Sequence, residues 1–282
     1  DFTGTMSDFN TFQVSVAGAS DGTITINSSS GPDNKFGGAS NNAKEYTYSW
    51  TKTIGPAAAG LVAGQMNQIN LTAGTYELTI TDSNLCNVTR RFVLIEPVEL
   101  LIDLGTDPTN ILCFGDSTGV LIGNITQAAV SPYTYTLRGT DYTGAAVEEI
   151  ISSTNALSHT FSVKAGIYNI TVVDLNGATK VSANRTFTNP ANPLTLTRTI
   201  SSQNGFNITC NGASDGSIDA TASGGTLNGG QYVYSWTAVD ENGAAFLLAD
   251  PTNKNQTGLG PGTYTVSVTD ANACTVEGIY PI

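Results

Sequence analysis

The chain has 282 residues, only 12% of them charged, with a formal net charge of −12 and a sequence pI near 4.2. No basic stripe is available to neutralise phosphates, which excludes nucleic acid as a partner. No run of eighteen apolar residues is present, so no helix is expected to span a membrane. A single histidine, His159, and the lack of any Cys-x-x-Cys pair remove most nucleophile–base and zinc arrangements. With no nucleophile elbow or phosphate loop either, the chain does not read as an enzyme. No signal-peptide pattern follows Asp1, so a mature or excised chain is expected.

Taken in order, the first landmark is a Gly-x-x-x-Gly corner, Gly18-Ala19-Ser20-Asp21-Gly22, leading into a strand from Thr23. Tyr46-Thr47-Tyr48-Ser49-Trp50 alternates aromatic and polar residues, the period of a half-buried strand. A variable polar stretch, Thr51 to Asn67, precedes a short strand at Gln68-Ile69-Asn70-Leu71. Next come the turn Ala73-Gly74 and an alternating strand through Tyr76, Leu78 and Ile80, closed by an Asp82-x-Asn84 turn. In immunoglobulin-type sandwiches a Tyr placed just after such a turn folds its hydroxyl back onto the preceding corner. That identifies the penultimate strand of seven. A final strand runs to Glu96-Pro97.

The same order then returns twice. The corner recurs at Gly115–Gly119 and Gly212–Gly216, and the closing glycines Gly22, Gly119 and Gly216 are 97 residues apart in both intervals. The aromatic strand recurs as Tyr133-Thr134-Tyr135-Thr136-Leu137 and Tyr232-Val233-Tyr234-Ser235-Trp236. The Tyr strand with its turn recurs at Tyr168…Asp174-x-Asn176 and Tyr264…Asp270-x-Asn272. Three landmarks in one order, three times over, outrank any local assignment. The expected architecture is all-β: three tandem immunoglobulin-like sandwiches, similar to polycystic-kidney-type and fibronectin III modules, at 1–97, 98–190 and 191–282. The variable stretch is expected to be long in the first and third modules, from Thr51 to Asn67 and from Ala238 to Asn255.

Tyr48, Trp50, Tyr76, Tyr135, Tyr168, Tyr234, Trp236 and Tyr264 are the expected core anchors. Burial of each ring stabilises by a few kcal/mol, on the order of 25 cal/mol per Å² of apolar surface. Leu137 stands where the other modules carry Trp, so the second module is expected to be the least stable. Pro97, Pro190 and Pro193 sit at the junctions and no Gly/Ser-rich linker separates the modules, which predicts a stiff rod. At about 3.3 Å per strand residue, three modules would extend to roughly 110–130 Å.

The four cysteines occupy two recurring sites, one before the corner (Val16, Cys113, Cys210) and one after the Asp-x-Asn turn (Cys86, Ala178, Cys274). In a sandwich these sites lie at opposite ends, too far apart for a disulfide within one module. Head-to-tail stacking instead sets the corner of one module against the Asp-x-Asn turn of the next. Joint two then pairs Cys113 with Cys274, joint one pairs Val16 with Ala178, and Cys86 and Cys210 face outward to modules beyond. A within-module Cys210–Cys274 bond and four unpaired thiols are the alternatives. Disulfides would place the chain in an oxidising compartment, secreted or at a surface.

Asp82/Asn84, Asp174/Asn176 and Asp270/Asn272, with Asp21, Asp116 and Asp215, could gather calcium at the joints. The preferred reading is that these residues fill turns by bonding their own backbone. No other cofactor is expected. The sequons at Asn27, Asn70, Asn87, Asn124, Asn169, Asn184, Asn207 and Asn255 are the number a Thr- and Asn-rich chain makes by chance. Tyr142 and Tyr232 are candidates to stack on sugars, although Tyr232 shares its face with Tyr234 and Trp236 and reads as core.

The run Cys210-Asn211-Gly212-Ala213-Ser214-Asp215-Gly216-Ser217-Ile218, then Tyr232 to Trp236, then Gly262 to Cys274, resembles the SprB-type repeat of giant surface adhesins of gliding bacteria. The resemblance covers the third module most fully. The other two each lack one cysteine, and the second also lacks the Trp. It implies export by the type IX secretion system, outer-membrane attachment at the cell surface, and a role in gliding motility. The expected function is a stalk segment that presents a distal adhesive tip and transmits force, with neighbouring modules of the same chain as partners. The alternative is a binding module whose variable stretches recognise polysaccharide or a receptor.

Overall fold

A computed structural model of the protein describes residues 2–28, 46–55, 60–106, 110–127, 130–227 and 229–282. Residues 56–59 of the first variable stretch lie outside these. The described residues form β-strands joined by turns and contain no helix. This follows from a composition poor in helix formers and rich in alternating β-branched and aromatic residues.

The first unit contains β1 (Phe2–Met6), β2 (Gly22–Ser28), β3 (Thr47–Ile54), β4 (Gln68–Leu71), β5 (Gly74–Thr81) and β6 (Asn87–Leu94). They form two antiparallel sheets, β1-β2-β4 and β3-β5-β6. The second unit contains β7 (Leu101–Asp103), β8 (Gly119–Gln127), β9 (Tyr133–Asp141), β10 (Ala146–Thr154), β11 (Ser158–Val163), β12 (Gly166–Val173), β13 (Thr179–Val181) and β14 (Arg185–Phe187). Its sheets are β11-β8-β7 and β10-β9-β12-β13, with β14 also on β12. The third contains β15 (Thr195–Ile200), β16 (Gly216–Ser223), β17 (Val233–Asp240), β18 (Ala245–Phe246), β19 (Asn255–Leu259), β20 (Gly262–Thr269) and β21 (Thr275–Pro281). Its sheets are β15-β16-β19 and β18-β17-β20-β21. Each unit is an immunoglobulin-like sandwich, with the corner linking the first two strands of one sheet and the Asp-x-Asn turn linking the last two of the other.

Buried side chains fall into three clusters with no member in common. The strand alternation places them: along β20, Tyr264, Val266 and Val268 are buried, while Thr265, Ser267 and Thr269 lie partly open on the other face. Tyr76, Tyr135, Tyr168, Tyr234, Trp236 and Tyr264 are buried anchors. Tyr48 and Trp50 differ from expectation in being only half-buried against the first core. The Tyr76 hydroxyl donates to Thr72 O at 2.7 Å and that of Tyr264 to Gly260 O at 2.9 Å, the fold-back that the turn position predicts.

One expectation needs correction. The variable stretch is not longest in the first and third units. In the second it forms a nine-residue strand, β10, paired along β9 from Ala146↔Thr140 to Thr154↔Tyr133. At the position where the other units carry Trp, the second unit packs Leu137. Leu137 is 1% exposed within a core that includes both Tyr133 and Tyr135.

The Trp–Leu exchange changes how the following segment is held. Trp50 Nε1 donates to Gln65 O at 3.0 Å and Trp236 Nε1 to Asn253 O at 2.9 Å. Those same two carbonyls accept from buried Gln68 and Gln256. Each Trp–Gln pair thus ties down the segment that follows the aromatic strand. The second unit has Leu137 and Phe161 at these positions and orders that segment as β10 instead. Phe161 lies opposite Leu121 as Gln68 lies opposite Ile24 and Gln256 opposite Ile218.

Candidate functional site

The Asp-x-Asn turn has one geometry in all three units. Asp82 Oδ1 accepts from the amides of Asn84 and Cys86, both at 2.9 Å. Asp270 does the same for Asn272 and Cys274, and Asp174 accepts from Ala178 at 2.7 Å. The second oxygen of Asp174 takes the Val130 amide and that of Asp270 the Thr226 amide, so the turn is anchored to the loop entering the aromatic strand. The residue after each Asn has a left-handed backbone: Leu85 at φ 68°, Gly177 at 90° and Ala273 at 64°. With the Asp fixing the turn, the Asn side chain is free to point outward.

The corner is equally regular. In the first unit Phe9 and Phe12 exchange main-chain hydrogen bonds, and Ser15 donates its amide and hydroxyl to the Asp21 carboxylate. In the third unit Gln203 and Phe206 exchange the same pair, and Thr209 donates its amide at 3.1 Å and hydroxyl at 2.6 Å to Asp215. The Thr209 hydroxyl is the main reason the Asp215 carboxyl lies below its ordinary pKa. In the second unit Thr118 takes the place of the Asp, and its hydroxyl oxygen accepts from the Leu112 amide at 3.5 Å.

Turn and corner meet at each joint. Asn176 donates through Nδ2 to Ser15 O at 3.0 Å and Phe9 O at 3.2 Å, while Asn10 donates to Asn176 Oδ1. At the second joint Asn272 Nδ2 donates to Leu112 O at 2.9 Å and to Thr226 Oγ1 at 3.0 Å. Ser15 and Leu112 each stand immediately before the first cysteine site. Cys113 and Cys274 are joined there by a disulfide, with Cα atoms 5.5 Å apart. Val16 and Ala178 occupy these positions at the first joint. Cys86 and Cys210 are free and exposed. The arrangement is a hydrogen-bonded peg in a corner, locked covalently at one of two joints.

Residues 206–240 match the family model of the SprB repeat. The matched stretch runs from the third unit's corner, through β16, to the end of β17. No curated protein matches the chain. Among solved structures, three N-terminal domains of the bacteriophage RB49 Highly Immunogenic Outer Capsid protein (Hoc) are 14% identical. That alignment covers 98% of this chain and 95% of that one, at TM-score 0.33. The tetra-tandem repeat in the extending region of a large adhesion protein is 16% identical, over 99% and 72%, at TM-score 0.27. Dpr2 Ig1-Ig2 in complex with DIP-Theta Ig1-Ig3 is 10% identical, over 99% and 98%, at TM-score 0.31. At such TM-scores these likenesses add nothing to the pairing and cores described above.

The remaining candidates fare differently. Within the SprB-repeat stretch, Asp215 is committed to Thr209, and beyond it Asp270 is committed to its turn. Asp21 is likewise held by Ser15. Asp116 lies in the second corner, where its amide donates to Cys113 O. Among the described residues no three His, Cys, Asp or Glu side chains gather to hold a metal. Tyr232 donates its hydroxyl to Gly224 O and packs on the third core. Tyr142 is 42% exposed, edge-on to Phe114 with ring centres 5.4 Å apart. No helix in the described residues is long and apolar enough to cross a membrane.

The role of Asn176 and Asn272 was missed by sequence reasoning, because an Asn in such a turn is already explained locally. Its one signal is recurrence of Asn two places after the Asp in every unit.

Proposed function

We propose that the chain is part of the stalk of a long surface adhesin, three repeat units at 1–97, 98–190 and 191–282 stacked head to tail. The observation that carries this reading is the joint. An Asn from one unit's turn bonds the corner of the unit before it at both joints, and the second adds the Cys113–Cys274 bond. Force applied along such a series passes through antiparallel strand ladders and fixed joints, and a covalent link at a joint prevents separation there. The SprB-repeat match supports an extracellular, surface-exposed setting, as does a disulfide. Gliding motility and type IX export follow from the resemblance and belong to the same proposal.

Small-angle scattering on the whole chain tests it. A rod of roughly 110–130 Å, at about 3.3 Å per strand residue, is the expected result. A broad, freely bending ensemble would overturn it. A glycan array run alongside should show no specific binding; strong binding would favour the polysaccharide-recognition alternative.

A further inference from the structure

At the two ends of this head-to-tail series lie the two halves of one joint, neither of them docked within the described residues. At one end the first unit's turn presents Asn84, Leu85 and Cys86, all exposed, with Leu85 at 81%. At the other, the third unit's corner presents Phe206 at 73% exposed, Thr209 and Cys210. Phe12, the residue matching Phe206 within the first joint, is half-buried.

Both halves are already folded for docking. The Asp82 carboxylate holds the amides of Asn84 and Cys86 as the Asp270 carboxylate holds those of Asn272 and Cys274, which are engaged. The corner at 203–215 has the hydrogen bonds of the corner at 9–21, whose Ser15 carbonyl accepts from Asn176. Docking therefore needs little reordering, which is the usual cost of association.

We propose that these ends bind each other between two copies of the chain. Asn84 donates to the Thr209 carbonyl of the second copy, and Cys86 bonds Cys210 of that copy, as Cys274 bonds Cys113 within the chain. The contact is heterologous and does not close on itself, so it propagates as a linear filament of copies. With oxidised glutathione as oxidant, the Cys86 thiolate attacks the glutathione disulfide and releases one glutathione thiol. The Cys210 thiolate of the second copy then attacks the protein–glutathione disulfide and releases the other. One protein disulfide forms, one glutathione disulfide is reduced, and two protons leave the cysteines. The inference rests on the joint geometry and not on the adhesin reading, and either can fail without the other.

The test uses the full chain as two capped variants, Cys210→Ser, which keeps Cys86, and Cys86→Ser, which keeps Cys210. Each is incubated alone and mixed in a glutathione redox buffer, then resolved on a non-reducing gel, with linked peptides identified by mass spectrometry. The mixture should give a one-to-one dimer through Cys86–Cys210, about tenfold or more above symmetric dimers, because docking raises the local thiol concentration. Asn84→Ala in the Cys86-bearing variant should slow that dimer severalfold. The statistical mixture, in which symmetric dimers together equal the mixed one, would overturn the proposal, as would failure to dimerise.

Discussion

Asn272 donates its side-chain amide to the Leu112 carbonyl at 2.9 Å, reaching from the third unit's turn into the corner of the second. Asn176 makes the matching bond to Ser15 at 3.0 Å, without a disulfide beside it. The first joint therefore depends on hydrogen bonds that the second shares with a covalent link. Asn176→Ala should weaken the first joint by about 1–2 kcal/mol, since a net hydrogen bond contributes about 1 kcal/mol. Asn272→Ala should change the second joint's bending much less. Residual dipolar couplings on each variant would read the two joint angles.

Cys113→Ser separates joint stiffness from unit stability. The disulfide links positions 161 residues apart. If the chain unfolded as one unit, loop entropy would make its loss worth about 5 kcal/mol. Because the second and third cores share no residue, calorimetry should show each unit losing no more than about 0.5 kcal/mol, the spread typical of surface changes. Scattering should show a wider spread of angles at the second joint.

Trp236 and Gln256 both donate to Asn253 O, so they should act as a pair. Trp236→Ala is expected to cost the third unit about 3–5 kcal/mol through lost packing. In a double-mutant cycle with Gln256→Thr, denaturant unfolding should give a coupling of about 0.5–3 kcal/mol.

Leu85 holds φ at 68°, a conformation that side chains beyond Gly adopt at a cost of roughly 1–2 kcal/mol, while the second unit has Gly177 there. Leu85→Gly should therefore raise or leave unchanged the first unit's melting temperature, offset in part by the greater unfolded-state entropy of glycine. A clear loss in a thermal melt would show that exposed Leu85 makes a stabilising contact.

The Asp215 carboxylate, bonded by Thr209, has a depressed pKa in the folded state. Its stabilisation of the corner is thus fully present above the ordinary aspartate value of about 3.9 and is lost as pH falls through the lower folded value. In an NMR titration the Thr209 amide should keep its native shift below the pH at which a free aspartate protonates. Thr209→Val should move that transition upward.

The 97-residue spacing and the Tyr, aromatic-strand and corner landmarks were legible because each is a local pattern repeated at a fixed interval. Tyr76 and Tyr264 fold back as their place after the turn predicts. Strand β10 was not legible: Ala146–Thr154 lacks a strict alternation and carries Glu148 and Glu149, so only pairing with β9 makes it a strand. The Trp–Gln pairs left a trace in the repeats. Trp50 occurs with Gln68 and Trp236 with Gln256, while Leu137 occurs with apolar Phe161. The outward role of Asn176 depends on a neighbouring unit's backbone, which no single-unit pattern encodes.

The head-to-tail joint is tested most directly by peptide mapping of the non-reduced, alkylated chain. The account predicts one linked peptide pair, Cys113 with Cys274, with Cys86 and Cys210 both alkylated in dilute monomer. A linked Cys210–Cys274 pair would contradict it.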